Sequence, residues 1–178
     1  MSKRIVITGG PSTGKTTLIN RLRILGFHCF EEISRQVTLE ARKEGVDQLF
    51  LSDPLLFSQR ILEGRTQQFH EVNTLNEPLV FLDRGLPDVL AYMDFIGDPY
   101  PQSFIDRCID LNYDAVMILK PWLKIYSKDE ERYESFEEAK KIHEHLVSAY
   151  SRFNYQLISI PEDSVDNRIK FVLKSLNL

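Results

Sequence analysis

Five short apolar runs recur along the chain: Arg4–Thr8, Phe27–Phe30, Leu79–Leu82, Ala115–Leu119 and Gln156–Ile160. Helical patterns fill the intervals between them. Strands alternating with helices predict an α/β fold, a parallel sheet with helices on both faces. Leu79-Val80-Phe81-Leu82 shows no polar alternation, the pattern of a strand buried on both sides. There is no internal repeat and no low-complexity linker.

Several boundaries can be placed by mechanism. Gly26 ends the first helix, which carries Leu18, Leu22 and Leu25. Asp53-Pro54 supplies an N-cap followed by proline at the first helical position, and opens a helix toward about Leu75. Ser135-Phe136-Glu137-Glu138 is a capping box that opens a helix to about Phe153. Pro161 stops the last strand. Val165, Ile169, Val172, Leu173 and Leu176 form the apolar stripe of a closing helix.

At 178 residues the chain is expected to form a single domain, 1–178. Net charge is −4 with no basic block, which removes the electrostatic support for broad nucleic-acid binding. No apolar run has the length of a membrane span, and the short apolar start is too brief for a leader. Cys29 and Cys108 form no C-x-x-C and read as reduced thiols of a cytoplasmic protein. His143 and His145, two apart on a helix, diverge rather than converge on a metal.

The chemistry begins at Gly9-Gly10-Pro11-Ser12-Thr13-Gly14-Lys15-Thr16-Thr17, which fits G-x-x-x-x-G-K-[ST] at every fixed position. It stands between a predicted strand and a predicted helix, the context this phosphate-binding loop requires. Its glycines let successive N–H groups turn inward, and the helix adds its positive end. Lys15 supplies a charge for the terminal phosphates. Thr16 offers a hydroxyl to Mg²⁺, and Thr17 follows in the helix.

Three further groups lie at strand ends. Phe81-Leu82-Asp83-Arg84-Gly85 places Asp83 where it can hold Mg²⁺ beside Thr16. Arg84 stands where motor-type ATPases carry a Glu that orients water, and a cation there suits phosphoryl transfer to an acceptor. Glu31-Glu32-Ile33-Ser34-Arg35 follows the second strand; Glu32 is the candidate base, and Arg35 is spaced to pair with it or with a phosphate. Asp88 and Tyr92, just after Gly85, are candidate acceptor contacts. The helix from Asp53 to Leu75 reads as a cover for the acceptor site. Residues 120–135, rich in both charges, are read as a lid, with Arg132 first among its candidate cations, then Lys124 and Lys128.

These residues resemble the small P-loop proteins grouped as AAA-type ATPase/kinase-like domains related to the ribosylnicotinamide kinase domain of NadR. The resemblance rests on Gly9–Thr17, Glu32-x-x-Arg35, Phe81–Gly85, Asp88, Ala91, Tyr92 and Asp129-x-x-Arg132. Tyr150 to Tyr155, then Pro161 and a terminal helix, complete it. It implies a three-layer sandwich whose five parallel strands run in the order 2-3-1-4-5. It also implies binding of ATP, or GTP, with Mg²⁺. A chain of this length is expected to lack the adenylyltransferase domain found in NadR.

Two functional classes remain open from sequence, and a third is disfavoured. The first is a kinase that moves the γ-phosphoryl group of Mg-ATP to a nucleoside- or nucleotide-like acceptor. The second is a nucleotide-dependent regulatory binder with slow hydrolysis; N-K-x-D, the guanine signature of such switches, does not occur. An oligomeric motor is disfavoured, because the Asp-Glu pair and the room for a helical lid domain are both missing. A homodimer is compatible with the sequence.

Overall fold

Parallel pairing joins all five apolar runs into one sheet. In the computed structural model, which describes residues 2–126 and 135–178, the strands are β1 (Lys3–Gly9), β2 (His28–Phe30), β3 (Leu79–Asp83), β4 (Ala115–Leu119) and β5 (Leu157–Ile160). Their order is β2-β3-β1-β4-β5, as the resemblance implied. Ile5 of β1 lies opposite Phe81 of β3 and Ala115 of β4, so β1 is central and paired on both edges.

The period of two along each strand divides the core into two layers. Ile5, Ile7, Phe81 and Met117 face α1 (Lys15–Ile24) and α8 (Val165–Ser175), against Leu18, Leu22, Ile169 and Val172. Val6, Leu82 and Val116 face the other way. That face is covered by α2 (Ile33–Lys43), α4 (Pro54–Glu71), α5 (Pro87–Ile96), α6 (Gln102–Asp110) and α7 (Phe136–Arg152), with the short α3 (Leu49–Ser52) leading into α4. The sequence pattern did not delimit α3 and α6.

Most signalled boundaries are found. Asp53 accepts from the Leu56 N–H at 2.9 Å with Pro54 behind it, and Ser135 and Glu138 exchange both bonds of the capping box. Two differ. α4 stops at Glu71 and tightens into a 3-10 turn, Val72–Thr74, where the Asn73 side chain accepts from Arg4 at 2.6 Å. β2 starts one residue late, because the Phe27 N–H is taken by the Leu22 carbonyl at the end of α1. Among the described residues no helix is long and apolar enough to cross a membrane. Both cysteines are free; burial, partly offset by nearby arginines, pushes their thiols up to about 11 for Cys29 and about 12 for Cys108.

Candidate functional site

All the candidate chemistry that falls on described residues lies at or near the carboxyl edge of the sheet. β1 delivers the glycine loop, β2 delivers Glu32, and β3 delivers Asp83 and Arg84. In open α/β sheets this edge is where ligands bind.

Gly9 ends β1, and Gly10 through Thr17 line a cavity of about 450 Å³. Gly14, the N-cap of α1, has φ 83°, and no side chain caps the helix. The first amides of α1 are therefore not answered by a capping side chain, as an anion site needs. A Cβ on Gly14 would lie 2.9 Å from Arg168 Nη1, the end of a long side chain that can shift, so it is the left-handed angle that calls for glycine here. Thr13 is buried and donates to the Gly10 carbonyl at 3.0 Å, bracing the loop. Thr16 and Thr17 are exposed at the start of α1.

Lys15 is buried and paired with two carboxylates. Its ammonium contacts Asp83 Oδ1 directly and lies 3.7 Å from Glu32 Oε2. Asp83 is the last ladder residue of β3, opposite Ile7, which fixes it beside the loop. Thr16, Asp83 and Glu32 line one groove. Among the described residues no cluster of three or more His, Cys, Asp or Glu gathers as a protein-only metal cage. A hydroxyl and one or two carboxylates nevertheless form an all-oxygen donor set, which fits Mg²⁺ when substrate oxygens complete its shell.

Glu32 pairs differently from the sequence expectation. The Glu32–Arg35 spacing suggested a helical pair, but Glu32 is the N-cap of α2 with extended backbone, φ −68° and ψ 118°. Helical spacing does not apply to it. Its Oε1 instead accepts from Arg84 Nε at 2.6 Å. Burial alone would raise this carboxyl, but Arg84, Lys15 and Arg65 together outweigh it and hold Glu32 well below the usual carboxylate range. Arg35 is exposed, lines the loop cavity, and makes no ion pair or hydrogen bond among the described residues.

Arg84 occupies the left-handed region, φ 73°, which costs a non-glycine residue about 1–2 kcal/mol. Its N–H donates to the Ile7 carbonyl at 3.0 Å, and its guanidinium spans Glu32 and Asp88, with Nη1 3.1 Å from Asp88 Oδ1. Burial opposes the charge, and Glu32, Asp88 and Asp83 overcome that opposition. Asp88, near the start of α5, is saturated. It also accepts from Thr8 Oγ1 at 2.6 Å, the Gly85 N–H at 3.0 Å and the Tyr150 hydroxyl at 2.6 Å. Burial would raise the Asp88 pKa, but Arg84, Arg65 and the bonds from Thr8 and Tyr150 outweigh it and lower the value, while burial and Asp88 raise that of Tyr150, which stays a donor.

Gly85 is closely enclosed. A Cβ there would lie 2.7 Å from the Tyr150 oxygen, 2.9 Å from Tyr113 Cε2 and 3.1 Å from Val6 Cγ2. Gly85→Ala is therefore expected to destabilise the protein by about 1–3 kcal/mol. Urea unfolding checks this, and an unchanged midpoint would show that the enclosure yields.

A second cavity, about 380 Å³, opens beside the first. Its walls include Phe50, Phe57 and Tyr92, with Arg65 and Asp88 deeper in. The rings of Phe57 and Tyr92 meet edge to face at 6.3 Å, and the Tyr92 hydroxyl donates to the Phe50 carbonyl at 3.3 Å. Pro11, Glu32, Arg35 and Arg84 line both cavities. α4 contributes Phe57, Ser58, Ile61 and Arg65 to the lining of this cavity. Lys124 sits in a 3-10 turn, Leu123–Ile125, and is exposed. Lys128 and Arg132 lie outside the described residues.

Two buried arginines in the linings of these cavities were not singled out from the sequence. Arg65 donates from Nη1 to the Gly85 carbonyl at 2.9 Å. Arg168 donates to the carbonyls of Thr13 and Pro161, each at 2.9 Å, with its guanidinium carbon 4.8 Å from the centre of the Trp122 ring.

The sequence model of the AAA domain matches residues 4–168, nearly the whole chain. The chain belongs to the AAA-domain family. No curated protein matches this AAA-domain chain. Solved structures do. Deoxyadenosine kinase from M. mycoides, with products dCMP and a flexible dCDP bound, superposes with TM-score 0.69 at 18% identity, covering 98% of each chain. NadR protein in complex with NR superposes with TM-score 0.74 at 21% identity, and NadR in complex with NAD and AMP-PNP with 0.71 at 21%. Both NadR comparisons cover 99% of this chain and 50% of that one, so the chain spans about half the length of NadR. At these identities the likeness establishes a shared P-loop kinase-like fold.

Proposed function

We propose that this AAA-domain protein is a small-molecule kinase that transfers the γ-phosphoryl group of ATP to a hydroxyl of a nucleoside- or nucleotide-like acceptor. One observation carries the reading. The glycine-loop cavity and the aromatic cavity are separate spaces that share Glu32, Arg35 and Arg84 at their junction. A hydrolase needs one cavity and water, whereas a transferase needs two that meet at the reacting atoms. The structural neighbours support it, since deoxyadenosine kinase holds dCMP and dCDP, and NadR holds NR.

Gly9 through Thr17 hold the donor phosphates, and Lys15 places its charge on them. Thr16 and Asp83 would hold Mg²⁺, which supplies neutralisation of phosphate charge. Glu32, ionised at all working pH values, accepts the hydrogen of the acceptor hydroxyl and orients its oxygen. A carboxylate this acidic is a weak base, so its main contribution is orientation. That suits a loose transition state, which asks for little early proton transfer. Arg84 and Arg35 steady charge at the junction, Asp88 fixes Arg84, and Tyr92 walls the acceptor cavity. Arg132 is assigned to the lid.

Incubation with Mg-ATP and a panel of nucleosides and nucleotides tests this, read by product separation. A phosphorylated acceptor is expected, with transfer outpacing hydrolysis. Hydrolysis to ADP and phosphate with every panel member unmodified would overturn the kinase and favour the regulatory reading.

A further inference from the structure

Arg168 has no part in the mechanism above, yet it is 4% exposed and stands on the core-facing stripe of α8 beside Ile169 and Val172. A guanidinium buried there needs acceptors. Those it has among the described residues are two carbonyls, Pro161 to Nε and Thr13 to Nη1, each at 2.9 Å. The Trp122 ring closes a third side, 4.8 Å from the guanidinium carbon. Two carbonyls, unlike a carboxylate, leave the positive charge uncancelled beside a loop that takes anions.

The bond to Thr13 has a geometric consequence. The peptide joining Thr13 to Gly14 is planar and trans, so its C=O and N–H point in opposite directions. Arg168 takes the C=O. The Gly14 N–H is thereby turned to the other side, where it donates to nothing among the described residues, and Gly14 lines the loop cavity. Gly14 has φ 83°, and glycine adopts either sign of φ about as readily, so its own backbone does little to stop this peptide from flipping. The Gly10 carbonyl is tied in a similar way, by the buried Thr13 hydroxyl at 3.0 Å.

We propose that Arg168 is a positioning residue of the donor site: by holding the Thr13 carbonyl it fixes the Thr13–Gly14 peptide with its N–H aimed at the donor phosphates. The proposal rests on the placement of those phosphates in the glycine loop, and not on transfer or on the acceptor.

Calorimetry with ADP and with inorganic tripolyphosphate, each with Mg²⁺, tests it on the wild type, Arg168→Met and Arg168→Lys. Tripolyphosphate offers the phosphates without a base. In Arg168→Met both ligands are expected to bind about tenfold more weakly and by the same factor, the loss of one aimed hydrogen bond to an anion. Lysine keeps the charge but has no planar fork to hold two carbonyls, so Arg168→Lys is expected to remain weaker than the wild type. Amide spectra of the wild type give a reading that needs no variant: tripolyphosphate is expected to move the Gly14 N–H signal downfield. Weakening of ADP alone would place Arg168 at the base and overturn the proposal. Unchanged binding of both ligands, full recovery by lysine, or a Gly14 signal that stays still while tripolyphosphate binds would overturn it too. A wild-type protein that bound neither ligand would refute the donor site itself, and the proposal with it. Hydrolysis in place of transfer would refute the kinase reading alone.

Discussion

Replacing Lys15 with methionine is expected to lower phosphoryl transfer by about a hundredfold to a thousandfold, the usual loss when one fixed charge is taken from a transferring group. The same change is expected to destabilise the nucleotide-free protein. The Lys15 ammonium neutralises Asp83 and Glu32, whose side chains are only 10% and 16% exposed. Removing it leaves two carboxylates facing each other in a poorly hydrated groove, at about 1–3 kcal/mol. Thermal unfolding and the transfer assay separate the two effects. Lys15→Met combined with Asp83→Asn removes the exposed repulsion, so the double variant is expected to regain stability and to remain inactive. If the single variant melted with the wild type, the ammonium would not be holding those carboxylates. If the double variant regained activity, Lys15 would have no direct part in transfer.

The glycine loop and the five strands could be read from sequence because each rests on local rules or on a motif that fixes its own surroundings, whereas the sheet order followed only from the resemblance to other P-loop domains. Leu79–Leu82 declared a buried strand by its lack of alternation, and Asp53-Pro54 declared a helix start by capping chemistry. The wiring of the site was harder to read. Asp88 is tied to Thr8 from 80 residues before it and to Tyr150 from 62 residues after it, separations that no local pattern records. Glu32 lay within a plausible helical spacing of Arg35, yet its extended N-cap conformation turned it to Arg84 instead. Arg65 and Arg168 did leave a signal. Each stands on an apolar stripe, Arg65 among Phe57, Ile61 and Phe69, Arg168 beside Val165, Ile169 and Val172. A charge inside such a stripe is buried only where something compensates it. An off-pattern arginine on a core-facing helix is therefore a site candidate on sequence grounds alone.

Asp88→Asn is expected to cost the larger share of stability, about 3–5 kcal/mol, as breaking a buried charge network does. The carboxylate accepts from four donors: Thr8, Gly85, Arg84 and Tyr150. An amide keeps one acceptor oxygen and turns an NH₂ toward donors that need acceptors. Arg84 would then lose one of its two anchors, and its φ of 73° would have less to hold it. Tyr150→Phe removes a single donor and should cost only about 1 kcal/mol. The effect has a predictable pH signature. Burial raises the Asp88 pKa, but Arg84, Arg65 and the bonds from Thr8 and Tyr150 outweigh it, so the folded value lies below the unfolded one. Its stabilisation is therefore complete above the unfolded value of about 3.9 and is lost as pH falls through the folded value. Denaturant unfolding at a series of pH values should show the gap between wild type and Asp88→Asn widest near neutrality and narrowing in acid. A gap that stayed constant into acid would mean that packing around residue 88, and not its charge, supports the turn carrying Arg84.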